Sequence, residues 1–230
     1  MKTIGILGGM SWESSAEYYR LINETVKHRL GPTHSAEIVM YSVDFCPVAQ
    51  LELEQRWEEL ATVLIAGIMR LEKAGAEFVI MASNTVHKVA ELVQPSIHVP
   101  LLHIADAAAE EIRKAGISRV GLLGTRFVME QDFYRDHFRA QGIDVLVPDQ
   151  PHRDYVHNVI YNELCAGKLI SESRENLRTI ILDLQRAGAE GVVLACTELP
   201  LLIHVEDTPV KLFDTLALHV HEAVAFALEE

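Results

Sequence analysis

Two short segments carry residue types that can do acid–base chemistry, and both have the same form. Each is an apolar run that ends in alanine, then a small nucleophile, then polar side chains: Ala195-Cys196-Thr197-Glu198 follows the run 191–194, and Ala82-Ser83-Asn84-Thr85 follows 78–81. A thiol at such a place can act as nucleophile or, once ionised, as base, and a position where a helix could begin favours the thiolate. The backbone N–H groups that follow can cradle a carboxylate. A lone cysteine beneath a strand is more often an inert small hydrophobe. The strand-to-loop position of Cys196 and its successors Thr197 and Glu198 point to catalysis instead. Ser83 is a weaker candidate, because a hydroxyl is a poor base at neutral pH and no obvious general base adjoins it. Cys46, before Pro47, and Cys165, within a segment of helical period, read as structural.

These segments need a frame to hold them. Apolar or β-branched runs at 3–7, 37–43 and 78–81 alternate with helical periods at 15–29, 56–74 and 86–93. The second half repeats the scheme, with strands expected at 119–123, 144–147, 191–194 and 210–213 and helices near 132–140, 153–166, 171–187 and 215–228. Such alternation predicts an α/β fold in which parallel sheets are flanked by helices. The chain also resembles itself. Leu71-Glu-Lys-Ala-Gly-Ala-Glu-Phe-Val-Ile-Met-Ala82 superposes on Leu184-Gln-Arg-Ala-Gly-Ala-Glu-Gly-Val-Val-Leu-Ala195 at an offset of 113, with seven of twelve positions identical. Gly5-Ile-Leu-Gly8 matches Gly121-Leu-Leu-Gly124 at 116, and Val99-Pro-Leu-Leu102 matches Val210-Lys-Leu-Phe213 at 111. Three matches in order indicate a duplicated α/β unit in which Ser83 and Cys196 are equivalent. Ligands of open parallel sheets bind at the carboxyl ends of strands, so two pseudo-symmetric halves would place these positions on opposite walls of one cleft.

Composition narrows the partners. Lys and Arg number 20 against 33 Asp and Glu, a net charge of −13 with no basic block, which argues against nucleic acid. No apolar run approaches the roughly 20 residues of a membrane span, and no secretory leader is evident, so a cytoplasmic protein is expected. Three cysteines without C-x-x-C spacing suggest neither a disulfide framework nor a thiolate zinc site. His87, His103, His219 and His221 lack H-E-x-x-H spacing and no G-x-S-x-G elbow is present, so no metal is expected. His87 and His103 read as supports of the cleft.

Together, Gly5-Ile-Leu-Gly-Gly-Met-Ser-Trp-Glu-Ser14, Val43-Asp-Phe45, Ser83-Asn-Thr-Val-His-Lys88, His103-Ile-Ala-Asp106, Leu123-Gly-Thr125, Met129-Glu-Gln-Asp-Phe-Tyr134 and Ala195-Cys-Thr-Glu198 resemble the aspartate/glutamate racemases over essentially the whole chain. The resemblance implies two flavodoxin-like halves, 1–103 with 214–230 and 104–213, with the site between them, no pyridoxal phosphate or other cofactor, and usually a homodimer. In that family two thiols face the substrate Cα from opposite sides. One removes the α-proton and the other donates to the far face. Carried over by position, Cys196 is the base for the L-enantiomer and Ser83 stands where the second thiol usually sits. Asn84, Thr85 and Thr125 would hold the α-carboxylate or amino group, Thr197 and Glu198 would complete the other wall, and Met10 would close the floor. Lys168, by itself a solvated loop lysine, matches the family's contact to an acidic side chain, and Glu52, on an expected loop 46–57 over the site, is a further polar contact. The expected activity is racemisation of aspartate or glutamate. Serine at 83 leaves open a one-thiol decarboxylase or isomerase of a small dicarboxylate, and a silent amino-acid binding protein.

Overall fold

The computed structural model describes residues 1–229. Its contacts divide the chain into two compact units, one formed by Met1–Ile104 with the chain from His219 onward, the other by Ala105–Leu218.

The first unit runs β1 (Ile4–Gly8), α1 (Trp12–Leu30), β2 (Ile38–Ser42), α2 (Phe45–Leu53), α3 (Trp57–Lys73), β3 (Phe78–Met81), α4 (Ala90–Val93) and β4 (Leu101–Leu102). α5 (Ile104–Lys114) leads into β5 (Arg119–Gly124), α6 (Arg126–Glu130), α7 (Asp132–Ala140), β6 (Asp144–Leu146), α8 (Gln150–Asn162), α9 (Ser171–Arg186), β7 (Gly191–Ala195), β8 (Lys211–Asp214) and α10 (Thr215–Leu228). Both sheets are parallel and four-stranded, ordered β2-β1-β3-β4 and β6-β5-β7-β8.

The two orders are the same order, and the register repeats the offsets seen in the sequence. Ile80 pairs with Ile6 and Leu102, while Val193 pairs with Leu122 and Phe213. Those are the same three positions displaced by 113, 116 and 111 residues. Central strands of a sheet covered on both faces read as unbroken apolar runs, and every residue of β1, β3 and β7 is buried. The helices cover the sheets with a single apolar stripe each: Leu60, Ala61, Leu64, Ile68 and Leu71 on α3, and Leu177, Ile180, Ile181 and Leu184 on α9. Among the described residues no helix is long and apolar enough to cross a membrane.

Several elements depart from the sequence-based expectation. The stretch 46–57, expected as a loop, holds all but the first residue of α2 and the first residue of α3. Its Pro47 sits in the first turn, where a missing N–H costs no helical bond, and Asp44 caps the helix by accepting from Cys46 N at 3.2 Å. The helix expected at 86–93 is a 3-10 turn, Thr85–Val89, followed by the single turn of α4. α8 stops at Asn162, so Cys165 lies on the 3-10 turn Leu164–Ala166.

Candidate active site

In each unit the strand order reverses direction between its two central strands, and the crevice beyond their carboxyl ends is where open α/β sheets bind ligands. In the first unit those ends are Gly8 of β1 and Met81 of β3; in the second they are Gly124 of β5 and Ala195 of β7. Met10, Ser83, Asn84 and Thr85 therefore follow the central strands of one unit, and Thr125, Cys196, Thr197 and Glu198 those of the other.

The turn after β1 is tightly built. Gly9 has φ +94°, and a side chain there would meet the backbone carbonyl and nitrogen of Val43. Ser15 on α1 accepts from Gly9 N at 2.7 Å and donates to Ser11 O at 2.9 Å, while Ser11 accepts from Ser14 N at 3.3 Å as the helix cap. Ser14 donates to the carbonyl of Ala82 at 3.4 Å, and His87 engages the carbonyl of Ser83 at 2.7 Å. Both peptide carbonyls beside the Ser83 side chain are thus held. Asn84 and Thr85 are buried and Ser83 is half-buried. Met10 and Glu52 are also buried, Met10 in the first unit's core with Met81 and Val86.

In the second unit, Gly124 lets β5 approach β7 closely: a Cβ on it would lie 2.6 Å from the carbonyl of Ala195, directly before Cys196. Thr125 caps α6 by accepting from Val128 N at 3.4 Å. Cys196 is 5% exposed and Glu198 is 3% exposed. The thiol of Cys196 donates to Oε2 of Glu198 at 3.0 Å, and the hydroxyl of Thr197 donates to the same oxygen at 3.0 Å. Burial, and then the negative charge of Glu198, push the thiol's pKa well above its ordinary value. This reverses the expectation of a dipole-favoured thiolate. The chain beyond Cys196 forms only the 3-10 turn Leu199–Leu201, and a carboxylate faces the sulfur. Lys168 takes no part in this cluster; it is exposed after Gly167, its own N–H donating to the carbonyl of Glu163 at 2.8 Å.

Residues 7–223 match the Asp/Glu/hydantoin racemase family. The chain belongs to that family. A solved structure of a candidate Asp/Glu racemase from Yersinia pestis is 45% identical over 99% of this chain and all of its own, with a TM-score of 0.91. An aspartate racemase homologue from Pyrococcus horikoshii OT3 is 36% identical with the same coverage and a TM-score of 0.87. The broad specificity amino-acid racemase RacX of Bacillus subtilis (strain 168) is 23% identical over 93% of each chain. Membership makes the chain an amino-acid racemase type of isomerase and agrees with its fold.

Cys196, Thr197 and Glu198 stand out in the sequence, but the bond that joins them does not. Ser14, expected only as part of the Gly5-to-Ser14 motif, and Ser15 were not expected as supports of the site, although their spacing from Ser11 is that of an N-cap and first turn.

Proposed function

We propose that this chain racemises an acidic amino acid, aspartate or glutamate, by removing the Cα proton from one face and returning a proton to the other, without a cofactor. The observation that carries the reading is the buried thiol of Cys196, set beyond a central strand with a carboxylate oxygen 3.0 Å from its sulfur. At rest the thiol keeps its proton. On substrate binding the proton passes to Oε2 of Glu198, and the substrate's ammonium group offsets the charge that thiolate and carboxylate would otherwise share. The thiolate then takes the Cα proton of the L-enantiomer. The electron pair left on Cα is stabilised through the α-carboxylate, held by N–H groups and hydroxyls of Asn84, Thr85, Thr125 and Thr197. Ser83, or a water on its hydroxyl, gives a proton to the opposite face and recovers one from solvent, while the protonated Glu198 gives its proton up to solvent and the resting thiol–carboxylate pair is restored. Glu52 and Lys168 are assigned to the substrate's polar groups, Lys168 to its side-chain carboxylate. Met10 supplies an apolar floor. The reading includes a homodimer, as the family resemblance implies.

Proton NMR in deuterated water tests it. The Cα signals of L- and D-aspartate or glutamate should fade with the wild-type protein and persist with Cys196→Ala. Exchange that survives in that variant removes Cys196 from the mechanism. Carbon dioxide release would favour a decarboxylase, and tight binding with no exchange a binding protein.

A further inference from the structure

Behind Ser83 lies a chain of buried side chains that the proposed proton transfers leave unused. His87 is buried on the 3-10 turn Thr85–Val89, with Nδ1 2.7 Å from the carbonyl oxygen of Ser83. Its Nε2 lies 3.3 Å from the backbone nitrogen of Ile104, which donates to it. A carbonyl only accepts and a backbone N–H only donates, so these two contacts are satisfied together by the neutral ring with its hydrogen on Nδ1; the carbonyl of Leu102, also beside this ring, accepts from His219. His219 is held in the opposite tautomer. Its Nε2 donates to Leu102 O at 3.1 Å and its Nδ1 accepts from the hydroxyl of Tyr18 at 2.9 Å. The two rings meet edge to face with centroids 5.9 Å apart, and His103 packs on His87 at 4.6 Å. The loop after β3 is thereby tied to the end of β4, to α1 and to α10.

We infer that His87 is a positioning residue: its Nδ1–H fixes the carbonyl of Ser83, and with it the direction in which the Ser83 side chain faces the substrate. This rests on the proposed racemase activity. It sets the efficiency of the half-reaction that Ser83 serves, without His87 touching the substrate.

Three variants separate the contacts. In His87→Asn an amide nitrogen near the Nδ1 position can still donate to Ser83, whereas His87→Gln places its amide toward Ile104 and His87→Ala keeps neither bond. Cα exchange from the D-enantiomer should fall about tenfold or more in the Gln and Ala variants, in kcat rather than KM, and by less than about threefold in the Asn variant. Exchange from the L-enantiomer should change by less than about twofold in all three. Equal losses from both enantiomers, or no rescue by asparagine, overturns the inference. Nitrogen NMR of the wild-type histidine ring gives a check independent of turnover and of how the variants fold. At neutral pH Nδ1 should carry the hydrogen and Nε2 none, and the opposite tautomer or a doubly protonated ring overturns the inference. Absence of exchange in the wild-type protein would instead sink the racemase reading.

Discussion

The thiol of Cys196 donates to Oε2 of Glu198 across 3.0 Å inside a buried site. A sulfur beside a carboxylate is a poor acid but has a proton acceptor already aligned. The two effects can be separated, since one concerns the resting thiol and the other its activation.

Glu198→Gln removes the charge while keeping the shape. The thiol's pKa should fall, because the negative charge of Glu198, a main cause that raises it, is lost. Alkylation of Cys196 by iodoacetamide should therefore reach half-maximal rate at lower pH in the variant. Cα exchange should nevertheless drop by about a hundredfold, the usual scale for losing a positioned general base. A variant with a lowered thiol pKa and undiminished exchange would show that Glu198 does not accept the proton.

Much of the frame was legible from residue types. β1, β3 and β7 are buried on both faces, so their apolar runs stand out, and the duplicated Leu71 and Leu184 segments predict which strands correspond. Helix α2 was hidden by Pro47, whose place in the first turn makes it harmless, and the 3-10 character of Thr85–Val89 depends on hydrogen bonds that periodicity does not encode. At the site, positions were legible and bonds were not. Thr197 and Glu198 were expected as neighbours of Cys196, but whether Glu198 turns its carboxylate toward the sulfur depends on side-chain rotamers. Burial then decides the direction of the thiol's shift.

Gly9 is expected to be intolerant of any side chain. Its φ of +94° disfavours L residues, and a Cβ would sit 2.2 Å from the carbonyl oxygen of Val43. Gly142, with φ +77° and nothing within 4 Å, has the conformational cost alone. Urea denaturation should show Gly142→Ala losing about 1 kcal/mol and Gly9→Ala about 3 kcal/mol or more, since backbone must move. Equal losses would mean that the turn after β1 relaxes freely.

Acid should destabilise the fold through His87. Burial first, then the neighbouring rings of His103 and His219, hold its pKa well below the ordinary 6.5. A depressed pKa contributes stability that is present above about pH 6.5 and is lost progressively as pH falls toward the folded value, because the unfolded chain binds the proton first. Between pH 6 and pH 5 the unfolding free energy of His87→Asn should fall less steeply than that of the wild type, by up to about 1.4 kcal/mol per pH unit. Parallel pH curves for the two proteins would show that His87 is not held neutral in the folded state.

Ser83 sets the limit on symmetry between the two directions of reaction. Its hydroxyl lies at the position equivalent to Cys196, yet it is half-buried and is followed by Asn84 and Thr85 instead of a carboxylate. In Ser83→Cys a thiol would sit at a site lacking two features that raise the pKa of Cys196, full burial and a carboxylate two residues on. It should ionise nearer the ordinary thiol range and work as a much better base than the hydroxyl. The expected result is Cα exchange from the D-enantiomer faster by about tenfold or more, with a smaller change from the L-enantiomer, whose base is Cys196 in both proteins. Initial rates from each pure enantiomer in deuterated water measure this directly. An unchanged or lower rate from the D-enantiomer would mean that residue 83 is not the acid–base group for that face.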